Sequence, residues 1–432
     1  MTTNTRAAIA ATTMMKKRTE EIIGISPLSE DKVRNWQLQR ISEAVSYVKE
    51  HSRFYKNHLK SCKTFDNWQT YADFPFTFPA DLKENPYDFL CVSPNEVSRI
   101  VTIQTSGTSG IKKRVFFTEA DMERTVDFFH HGMGFMTEKG DKVAIFMPGQ
   151  TMGSVGDLLS KGLMRLGAEP IICGIPESAE KAAQVILENS INVAVALPMD
   201  MYRVAISEYA PRIKEKGTLK NVLLSADNVT QVMSDIISES LGCKVFEHYG
   251  MTETVFGGAV FCQSLDGYHL RDADMYFEVV DIKTGKPCKP GEYGEIAVTT
   301  FASEAMPLIR YRTGDIGRFK AEKCACGYSL PVLERVFCRL NDVISLPDGS
   351  IITRPEIEDS VMLCCRPENI SVLWDEESKT VRIGVYKPQN VSYLKENIAD
   401  RLKTAGAKIE FFDLERQETD FRAMTKRGVL RK

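Results

Sequence analysis

The sequence predicts an α/β protein, and three changes of pattern along its 432 residues support this prediction. Between residues 141 and 245, short apolar runs alternate with amphipathic segments, as in parallel sheets covered by helices. From about residue 256 to 330, short β-type runs are separated by turn residues. After Arg339 the chain predicts a compact α+β unit. We therefore expect a large N-terminal domain of parallel sheets covered by helices, with a β subdomain, and a small C-terminal domain.

The N-terminal part contains a predicted amphipathic helix over residues 31–51. Ile41, Ala44, Val45 and Val48 follow the i, i+3, i+4, i+7 spacing, which places apolar side chains on one helical face. We expect this face to pack on the core of the domain.

Residues 141–245 predict alternating strands and helices. Ligands of parallel sheets bind at the carboxyl ends of the strands. The segments Ser225–Asp227 and His248–Gly250 fall at two such ends, so we expect both near a ligand. The predicted strands are Lys142–Met147, Ile171–Ile172, Val193–Leu197 and Asn221–Leu224, and the predicted helices are Val155–Leu166, Ala179–Glu188 and Val229–Leu241.

Turn residues punctuate the β-type region, as at Thr284-Gly285 and Pro290-Gly291. The C-terminal unit is predicted to contain a strand at Val381–Tyr386, a helix at Leu394–Leu402 and a strand at Ile409–Phe412. This mixture is typical of a small α+β domain.

Composition narrows the class of protein. Hydrophobic residues make up 43% and charged residues 26%, as in soluble globular proteins. The net charge of −3 indicates no nucleic-acid partner, and no apolar run approaches the roughly 20 residues that span a bilayer. The N-terminus lacks the strongly basic start of a secretory signal. The eleven cysteines are expected to be mostly reduced and buried, which favours a cytoplasmic location.

A glycine loop, Thr105-Ser-Gly-Thr-Ser-Gly110, follows the strand-like run Ile100–Ile103 and precedes Lys112-Lys113-Arg114. Its two glycines permit backbone conformations that let hydroxyl and N–H groups face one concavity, while the cations balance negative charge. This chemistry suits polyphosphate. Lys112 stands where the Walker A pattern needs glycine, so nucleotide binding here requires another fold. A surface loop rich in serine, threonine and glycine is the alternative interpretation.

Further motifs follow the glycine loop in order: Glu247-His-Tyr-Gly-Met-Thr-Glu253, Arg310-Tyr-Arg-Thr-Gly-Asp315, and Lys426 in a basic stretch. Together these motifs resemble the core motifs of the adenylate-forming superfamily, which includes acyl-CoA synthetases, carrier-protein adenylation domains and luciferases. Ser52-Arg-Phe-Tyr55, the wider run Met306–Asp315 and the short C-terminal domain are similar to the phenylacetate–CoA ligase-like branch.

The resemblance implies an ATP-dependent, AMP-forming carboxylic acid ligase. Such an enzyme forms acyl-AMP and pyrophosphate from an acid and ATP, and then passes the acyl group to an acceptor. ATP and Mg²⁺ are the implied cofactors, and CoA is the implied co-substrate of the small-molecule acid. The alternatives are transfer to a protein thiol, a carrier protein or an amine, and a non-catalytic nucleotide-binding relative. The resemblance also allows a homodimer.

The resemblance assigns roles to individual residues. Tyr249 offers a flat ring to adenine, and Thr252 offers a hydroxyl to the α-phosphate. Glu253 is the expected Mg²⁺ ligand, because a hard oxygen donor suits a hard cation, and Asp315 can accept both ribose hydroxyls. Lys426 would reach the substrate carboxylate and the α-phosphate. The other expected nucleotide-binding residues are Thr105, Ser106, Gly107, Thr108, Ser109, Gly110, Lys113, Ser225, Ala226, Asp227, His248 and Gly250.

Each of these assignments has a structural alternative. Tyr249 could be a core aromatic residue, Glu253 a capping or surface carboxylate, and Asp315 a turn residue. Lys426 could be a solvated lysine of a basic tail, since Thr425 stands where the family usually has glycine.

The family hinge usually reads Gly-Arg-x-Asp-Asp, and this chain has Cys338-Arg-Leu-Asn-Asp342. Asn341 replaces the usual acid, and we expect it to keep the hinge role because asparagine tolerates unusual backbone angles. Arg339 would contact the nucleotide in one conformation. The expected parts are an adenylate-forming domain at 1–338 with its β subdomain at about 256–330, a hinge at 339–342 and a mobile lid domain at 343–432.

Three cysteines and one histidine predict a structural zinc site. Cys324 and Cys326 form a close thiolate pair, with Gly327 to ease the turn, and Cys262 lies seven residues before His269. One histidine and three thiolates make a closed tetrahedral set for Zn²⁺. Four unrelated buried residues are the alternative, because Cys-x-Cys is less diagnostic than Cys-x₂-Cys.

The acyl pocket is expected between the glycine loop and the motif that begins at Glu247. Its aromatic and methionine-rich lining suits a flat aryl acid. His130 or His131 would hydrogen-bond a ring substituent, or would lie on a helix surface instead. The expected lining is Phe128, Phe129, Phe135, Met147, Pro148 and Met152.

Overall fold

A computed structural model describes residues 14–103, 113–388, 407–414 and 429–431. The chain divides into two compact units, each with a hydrophobic core. The first unit comprises Met1–Gly140, Gly149–Glu169 and Phe246–Arg335, and the second comprises Asp141–Pro148, Pro170–Val245 and Val336–Lys432.

The helices of the first unit cover its core with apolar faces. The predicted face of the helix Glu30–His51 is confirmed, since Ile41, Ala44, Val45 and Val48 are all buried. No helix among the described residues is both long and apolar enough to cross a membrane. Numbered in chain order, these helices are α1 (residues 14–23), α2 (Glu30–His51), α3 (Arg53–His58), α4 (Trp68–Ala72), α5 (Pro79–Glu84), α6 (Glu119–Met133) and α7 (Val155–Leu166), with 3₁₀ turns at Pro86–Phe89, Pro94–Glu96 and Thr252–Thr254.

The strands of the first unit form three antiparallel groups. β1 (Arg99–Ile103) pairs with β2 (Lys113–Phe117), so that Ile103 lies opposite Lys113 across the glycine loop. The short runs predicted after residue 256 are strands. One group has the order β10-β11-β12 and another the order β7-β8-β9-β13. Their ranges are β7 (Lys244–Tyr249), β8 (Ala259–Phe261), β9 (Tyr268–Leu270), β10 (Tyr276–Val280), β11 (Gly294–Thr299), β12 (Tyr311–Gly317) and β13 (Val332–Leu333).

The second unit contains the predicted parallel sheet, with strand order β6-β5-β3-β4. β5 pairs in parallel with both β3 and β6, which confirms the α/β prediction. Two short helices, α9 and α10, were not predicted. The elements are β3 (Lys142–Phe146), β4 (Glu169–Ile172), β5 (Val193–Ala196), β6 (Asn221–Leu224), α8 (Ala179–Glu188), α9 (Pro198–Ala205), α10 (Ala210–Lys216) and α11 (Gln231–Leu241).

Helix α11 begins two residues later than predicted. The Thr230 hydroxyl accepts a hydrogen bond from the Met233 N–H at 3.2 Å, so Thr230 is the N-cap and Val229 lies outside the helix. Helix α7 ends as predicted, because Gly167 adopts a left-handed φ of 80°.

The C-terminal part of the second unit is α+β, as predicted. Its four-stranded sheet has the order β19-β18-β17-β20. The helix predicted at Leu394–Leu402 lies outside the described residues, and the predicted domain boundaries stay a prediction. The elements are β14 (Cys338–Arg339), a 3₁₀ turn (Leu340–Asp342), β15 (Val343–Ser345), β16 (Ile351–Thr353), α12 (Arg354–Cys365), β17 (Asn369–Asp375), β18 (Thr380–Tyr386), β19 (Lys408–Asp413) and β20 (Leu430–Arg431).

A buried ion cluster fixes the segment predicted as a hinge. Asp342, with no exposed surface, accepts hydrogen bonds from Arg354 Nε and Nη2 at 3.0 and 3.1 Å. Glu358 lies 2.7 Å from Arg354 Nη1. Asp342 also accepts the backbone N–H of Arg339 at 3.3 Å.

We expect Asp342→Ala to lower the free energy of unfolding by about 3–5 kcal/mol, because it leaves a buried guanidinium short of one carboxylate. Urea unfolding followed by circular dichroism measures this loss. Glu123→Ala is the control, since Glu123 makes an equally bidentate pair with Arg165, at 2.6 and 2.8 Å, on the surface. It should cost about 1 kcal/mol or less. Equal losses would show that burial does not decide the value of the Asp342 pair.

Candidate active site

The described part of the site begins where the glycine loop ends. Thr105, Ser106, Gly107, Thr108, Ser109, Gly110 and the C-terminal Lys426 lie outside the described residues. Lys113 is the first residue of β2, and it is 7% exposed despite its charge. A buried lysine requires a partner, because an unpaired charge is costly to remove from water.

That partner is Glu253, in the 3₁₀ turn Thr252–Thr254. The Lys113 ammonium contacts Glu253 Oε1 and donates to the Tyr311 hydroxyl at 3.0 Å. Tyr311 in turn donates to Glu253 Oε1, also at 3.0 Å. The structure thus brings together the predicted loop lysine and the predicted metal ligand. It adds Tyr311, which sequence reasoning does not single out because a tyrosine in a buried strand is usually part of the core.

Two predicted nucleotide-binding residues are also in contact. Tyr249 ends β7, and its hydroxyl donates to Asp315 Oδ2 on β12 at 2.9 Å. The Tyr249 ring lies 6.0 Å from the Tyr268 ring and 6.3 Å from that of Phe277. Tyr249 is therefore a buried aromatic side chain with a polar tip in the site, and its contact with adenine stays a prediction.

Strand β12 is held by two buried arginine–glutamate pairs. Arg310 makes two hydrogen bonds of 3.0 Å with the Glu278 carboxylate. Arg312 donates through Nε to Glu295 Oε2 at 2.6 Å, and Glu295 Oε1 accepts the Gly314 N–H at 3.0 Å. The Arg310–Glu278 pair is bidentate, and such pairs fix geometry as well as charge. The arginines of this motif thus anchor the strand that carries Tyr311 and the site aspartate.

The turn that presents Glu253 has an unusual backbone. Val255 and Phe256 follow it with φ values of 51° and 64°, in the left-handed region. The Phe256 N–H returns to the Met251 carbonyl at 3.0 Å and closes the turn. Gly250 is required here for space, since a Cβ at this position would lie 2.6 Å from the Phe256 carbonyl oxygen. Packing therefore also explains a glycine at this position, and the expected role of Gly250 in binding nucleotide stays a prediction.

His248 is half-buried and lies beside aromatic rings. The Phe128 and Phe129 rings lie 6.3 and 6.0 Å from its own. Burial, and then the nearby positive charge of Arg271, lowers the pKa of His248 to about 4, so the imidazole is neutral at pH 7. Phe128 and Phe129, which are predicted to line the acyl pocket, thus lie beside a neutral histidine.

The neighbouring histidines do not share this position. The His130 and His131 rings lie 4.6 Å apart on helix α6. His131 Nδ1 lies 2.8 Å from the Asp127 carbonyl oxygen, within the same helix. Met152, another residue expected in the pocket, is 79% exposed.

The remaining predicted site residues belong to the second unit. Ser225, Ala226 and Asp227 follow β6 at its carboxyl end, and Ala226 has a left-handed φ of 73°. Asp227 Oδ1 accepts the Asn228 N–H at 2.8 Å. Arg339 lies on β14. Their predicted contacts with nucleotide stay predictions.

The four predicted metal ligands converge in the first unit. All ligand atoms of Cys262, His269, Cys324 and Cys326 lie within 4.8 Å of one another. Cys262 Sγ is 3.6 Å from Cys324 Sγ, and Cys326 Sγ is 3.5 Å from His269 Nε2. Tetrahedral Zn²⁺, with bonds of about 2.0–2.3 Å, places its ligand atoms about 3.5–3.8 Å apart. The donor set and its spacing fit Zn²⁺.

The AMP-binding enzyme family model matches residues 29–302 of the chain. The phenylacetate–coenzyme A ligase of Thermus thermophilus is 26% identical over 347 residues, which cover 76% of this chain and 74% of that protein. The phenylacetate–coenzyme A ligase of Escherichia coli is 27% identical over 342 residues, covering 76% of this chain and 75% of that protein.

A solved structure of 2-hydroxyisobutyryl-CoA ligase, in the postadenylation state with an acyl-AMP, superimposes with a TM-score of 0.78. The match covers 92% of this chain and 89% of the ligase, at 20% sequence identity. At this identity the likeness concerns the fold.

The pKa of His248 predicts a pH dependence of stability. The unfolded chain, with a histidine pKa of about 6.5, binds more protons than the folded chain between about pH 6.5 and 4. The folded state is therefore fully stabilised above about pH 6.5 and loses stability as the pH falls. Between about pH 6.5 and 4, we expect the free energy of unfolding to fall by about 3 kcal/mol less in His248→Gln than in the wild type. Urea unfolding at a series of pH values should therefore give a flatter curve of stability against pH for the variant.

His51→Gln, which removes an exposed imidazole, serves as the control and should keep the wild-type slope. A wild-type slope in the His248 variant as well would contradict the assignment of this pH dependence to His248.

Proposed function

The chain belongs to the AMP-binding enzyme family, and from this premise we propose that it joins a carboxylic acid to coenzyme A with ATP as the activating substrate. In the first step, a carboxylate oxygen of the acid attacks the α-phosphorus of ATP. The bond between the α-phosphorus and the bridging oxygen breaks, and its electron pair leaves with pyrophosphate. In the second step the CoA sulfur, its proton lost, attacks the acyl carbon and AMP departs.

The observation that carries this proposal is the contact between Lys113 and Glu253. Lys113 begins β2 three residues after the glycine loop, and Glu253 ends the motif Glu247–Glu253, which lies far away in sequence. A carboxylate and ATP repel each other, so the site must hold both and neutralise charge as pyrophosphate leaves. A buried cation and a buried carboxylate at the end of a hydroxyl-rich loop suit this task.

We assign the nucleotide contacts as follows. Lys113 and the glycine loop would bind the β- and γ-phosphates, and Glu253 would hold Mg²⁺, which when bound would neutralise phosphate charge. Tyr249 and Asp315 would bind adenine and ribose. Lys426 would bind the substrate carboxylate and the α-phosphate.

We propose an aryl acid as the substrate. Phe128 and Phe129 offer ring surfaces beside the neutral His248, which suits an uncharged flat group. The two curated relatives described above are named for phenylacetate, an aryl acid. Transfer to a protein thiol, a carrier protein or an amine would share the first step and differ only in the second.

Pyrophosphate release across a panel of aryl and fatty acids, each with and without CoA, tests this function. We expect release with an aryl acid, accelerated by CoA. Glu253→Gln and Lys426→Ala should each lower kcat about 100-fold or more, in the range found when one charge-stabilising group is removed from an active site. Glu123→Gln, a change of an exposed glutamate, should leave the rate unchanged.

Release that CoA does not accelerate would favour another acceptor. Wild-type protein that binds ATP but releases no pyrophosphate with any acid would contradict the proposed activity.

We also propose that Cys262, His269, Cys324 and Cys326 hold a structural Zn²⁺. All four positions of a tetrahedral ion would be filled by protein, so the ion would have no open position for catalysis. It would tie the residue after β8 and the middle of β9 to the segment 324–326.

Metal analysis after metal-replete expression should give about one zinc per chain, because closed sites of this kind bind tightly. Cys324→Ser should lose most of the zinc and lower the melting temperature. Cys288→Ser, at a half-buried cysteine outside the cluster, should change neither. Wild-type protein with under about half an equivalent would contradict the site.

A further inference from the structure

Tyr311 contacts both charged members of the buried cluster at the end of the glycine loop. Its hydroxyl oxygen lies 3.0 Å from Lys113 Nζ and 3.0 Å from Glu253 Oε1. Lys113 and Glu253 also contact each other, so the three polar groups form a closed triangle. Tyr311 is 1% exposed, and so its hydroxyl faces these groups in place of water.

The direction of each hydrogen bond follows from chemistry. An ammonium can only donate, and an ionised carboxylate can only accept. The Tyr311 hydroxyl therefore accepts from Lys113 and donates its one proton to Glu253.

Lys113 and a magnesium ion would compete for the same carboxylate. Glu253 Oε1 already contacts the Lys113 ammonium, and Mg²⁺ demands a closely approached oxygen in octahedral geometry. Phosphate groups in the glycine loop would draw Lys113 away from Glu253. At that moment Glu253 would lose one of the groups that fix its direction, while its contact with Tyr311 would remain.

Tyr311 is itself held rigidly. It lies opposite Val298 in the pairing of β12 with β11. Its neighbours on either side, Arg310 and Arg312, are the residues of the two buried arginine–glutamate pairs. A hydroxyl on such a strand can orient a carboxylate on the turn Thr252–Thr254.

We propose that Tyr311 is a positioning residue that keeps the Glu253 carboxylate aligned for magnesium when Lys113 moves to the nucleotide phosphates. The inference rests on the proposed function, in which Glu253 binds Mg²⁺. It assigns Tyr311 to metal-linked binding of the nucleotide rather than to the fold alone.

ATP binding by calorimetry, without acid substrate, tests the role in the full-length protein. Titrations are made in excess Mg²⁺ and in EDTA, for wild type and Tyr311→Phe. The variant should weaken ATP binding about tenfold in Mg²⁺, since one hydrogen bond to a charged group is worth about a decade in an equilibrium constant. In EDTA the loss should be less than about twofold, and the half-saturating Mg²⁺ concentration should rise.

Tyr268→Phe is the matched control. The Tyr268 hydroxyl donates to the buried carboxylate of Glu247 at 2.9 Å. Its removal therefore breaks the same kind of hydrogen bond, but at a carboxylate other than Glu253. This control should lower thermal stability about as much as Tyr311→Phe and should leave the effect of Mg²⁺ on ATP binding unchanged.

A double-mutant cycle with Glu253→Gln checks that Tyr311 acts through this carboxylate. Tyr311→Phe should have little further effect on Mg²⁺-linked binding once Glu253 is changed. Additive effects, or equal losses of ATP affinity with and without Mg²⁺, would show a structural role and overturn the inference. Wild-type protein whose ATP binding ignores Mg²⁺ would overturn the proposed role of Glu253 as well, so the two failures are distinguishable.

Discussion

Two buried arginine–glutamate pairs determine where the candidate site can form. Arg310 with Glu278, and Arg312 with Glu295, place four charges inside the first unit. Each charge would be costly without its partner, so both pairs must close for β12 to take its register against β11. Tyr311 lies between the two arginines and is oriented by that register. The motif Arg310–Asp315 therefore holds strand β12 in place, in addition to its predicted contacts with ligand.

The hydroxyl groups of two tyrosines organise the charges of the site. Tyr311 donates to Glu253, and Tyr249 donates to Asp315. Lys113 contacts the same Glu253 oxygen and donates to the Tyr311 hydroxyl. Because both tyrosines use their single proton on a carboxylate, neither can donate to phosphate. In the proposed function the phosphate contacts would therefore come from the glycine loop and Lys113, and these contacts stay a prediction.

Hydrophobic periodicity and turn residues predict much of the fold. Helix α2 and the parallel strands can be predicted from local patterns, and the order of the motifs along the chain indicates the family. The buried pairs could not be predicted, because Glu278 lies 32 residues from Arg310 and its partner is known only once β10 and β12 share a sheet. Helices α9 and α10 were missed because they are short. The role of Tyr311 was missed because burial alone does not distinguish a core tyrosine from one that bridges two charges.

The motif Glu247–Glu253 shows how one run of residues divides between structure and chemistry. Glu247 is buried and accepts from Arg335 Nε at 2.8 Å, and burial raises its pKa. Gly250 leaves room for the returning backbone. In the proposed function Tyr249 and Glu253 would meet the nucleotide and its Mg²⁺, and both are already hydrogen-bonded to side chains of β12. A substitution at any position of the motif can therefore abolish activity, but only one that alters nucleotide or Mg²⁺ binding without loss of stability identifies a residue that acts on the ligand.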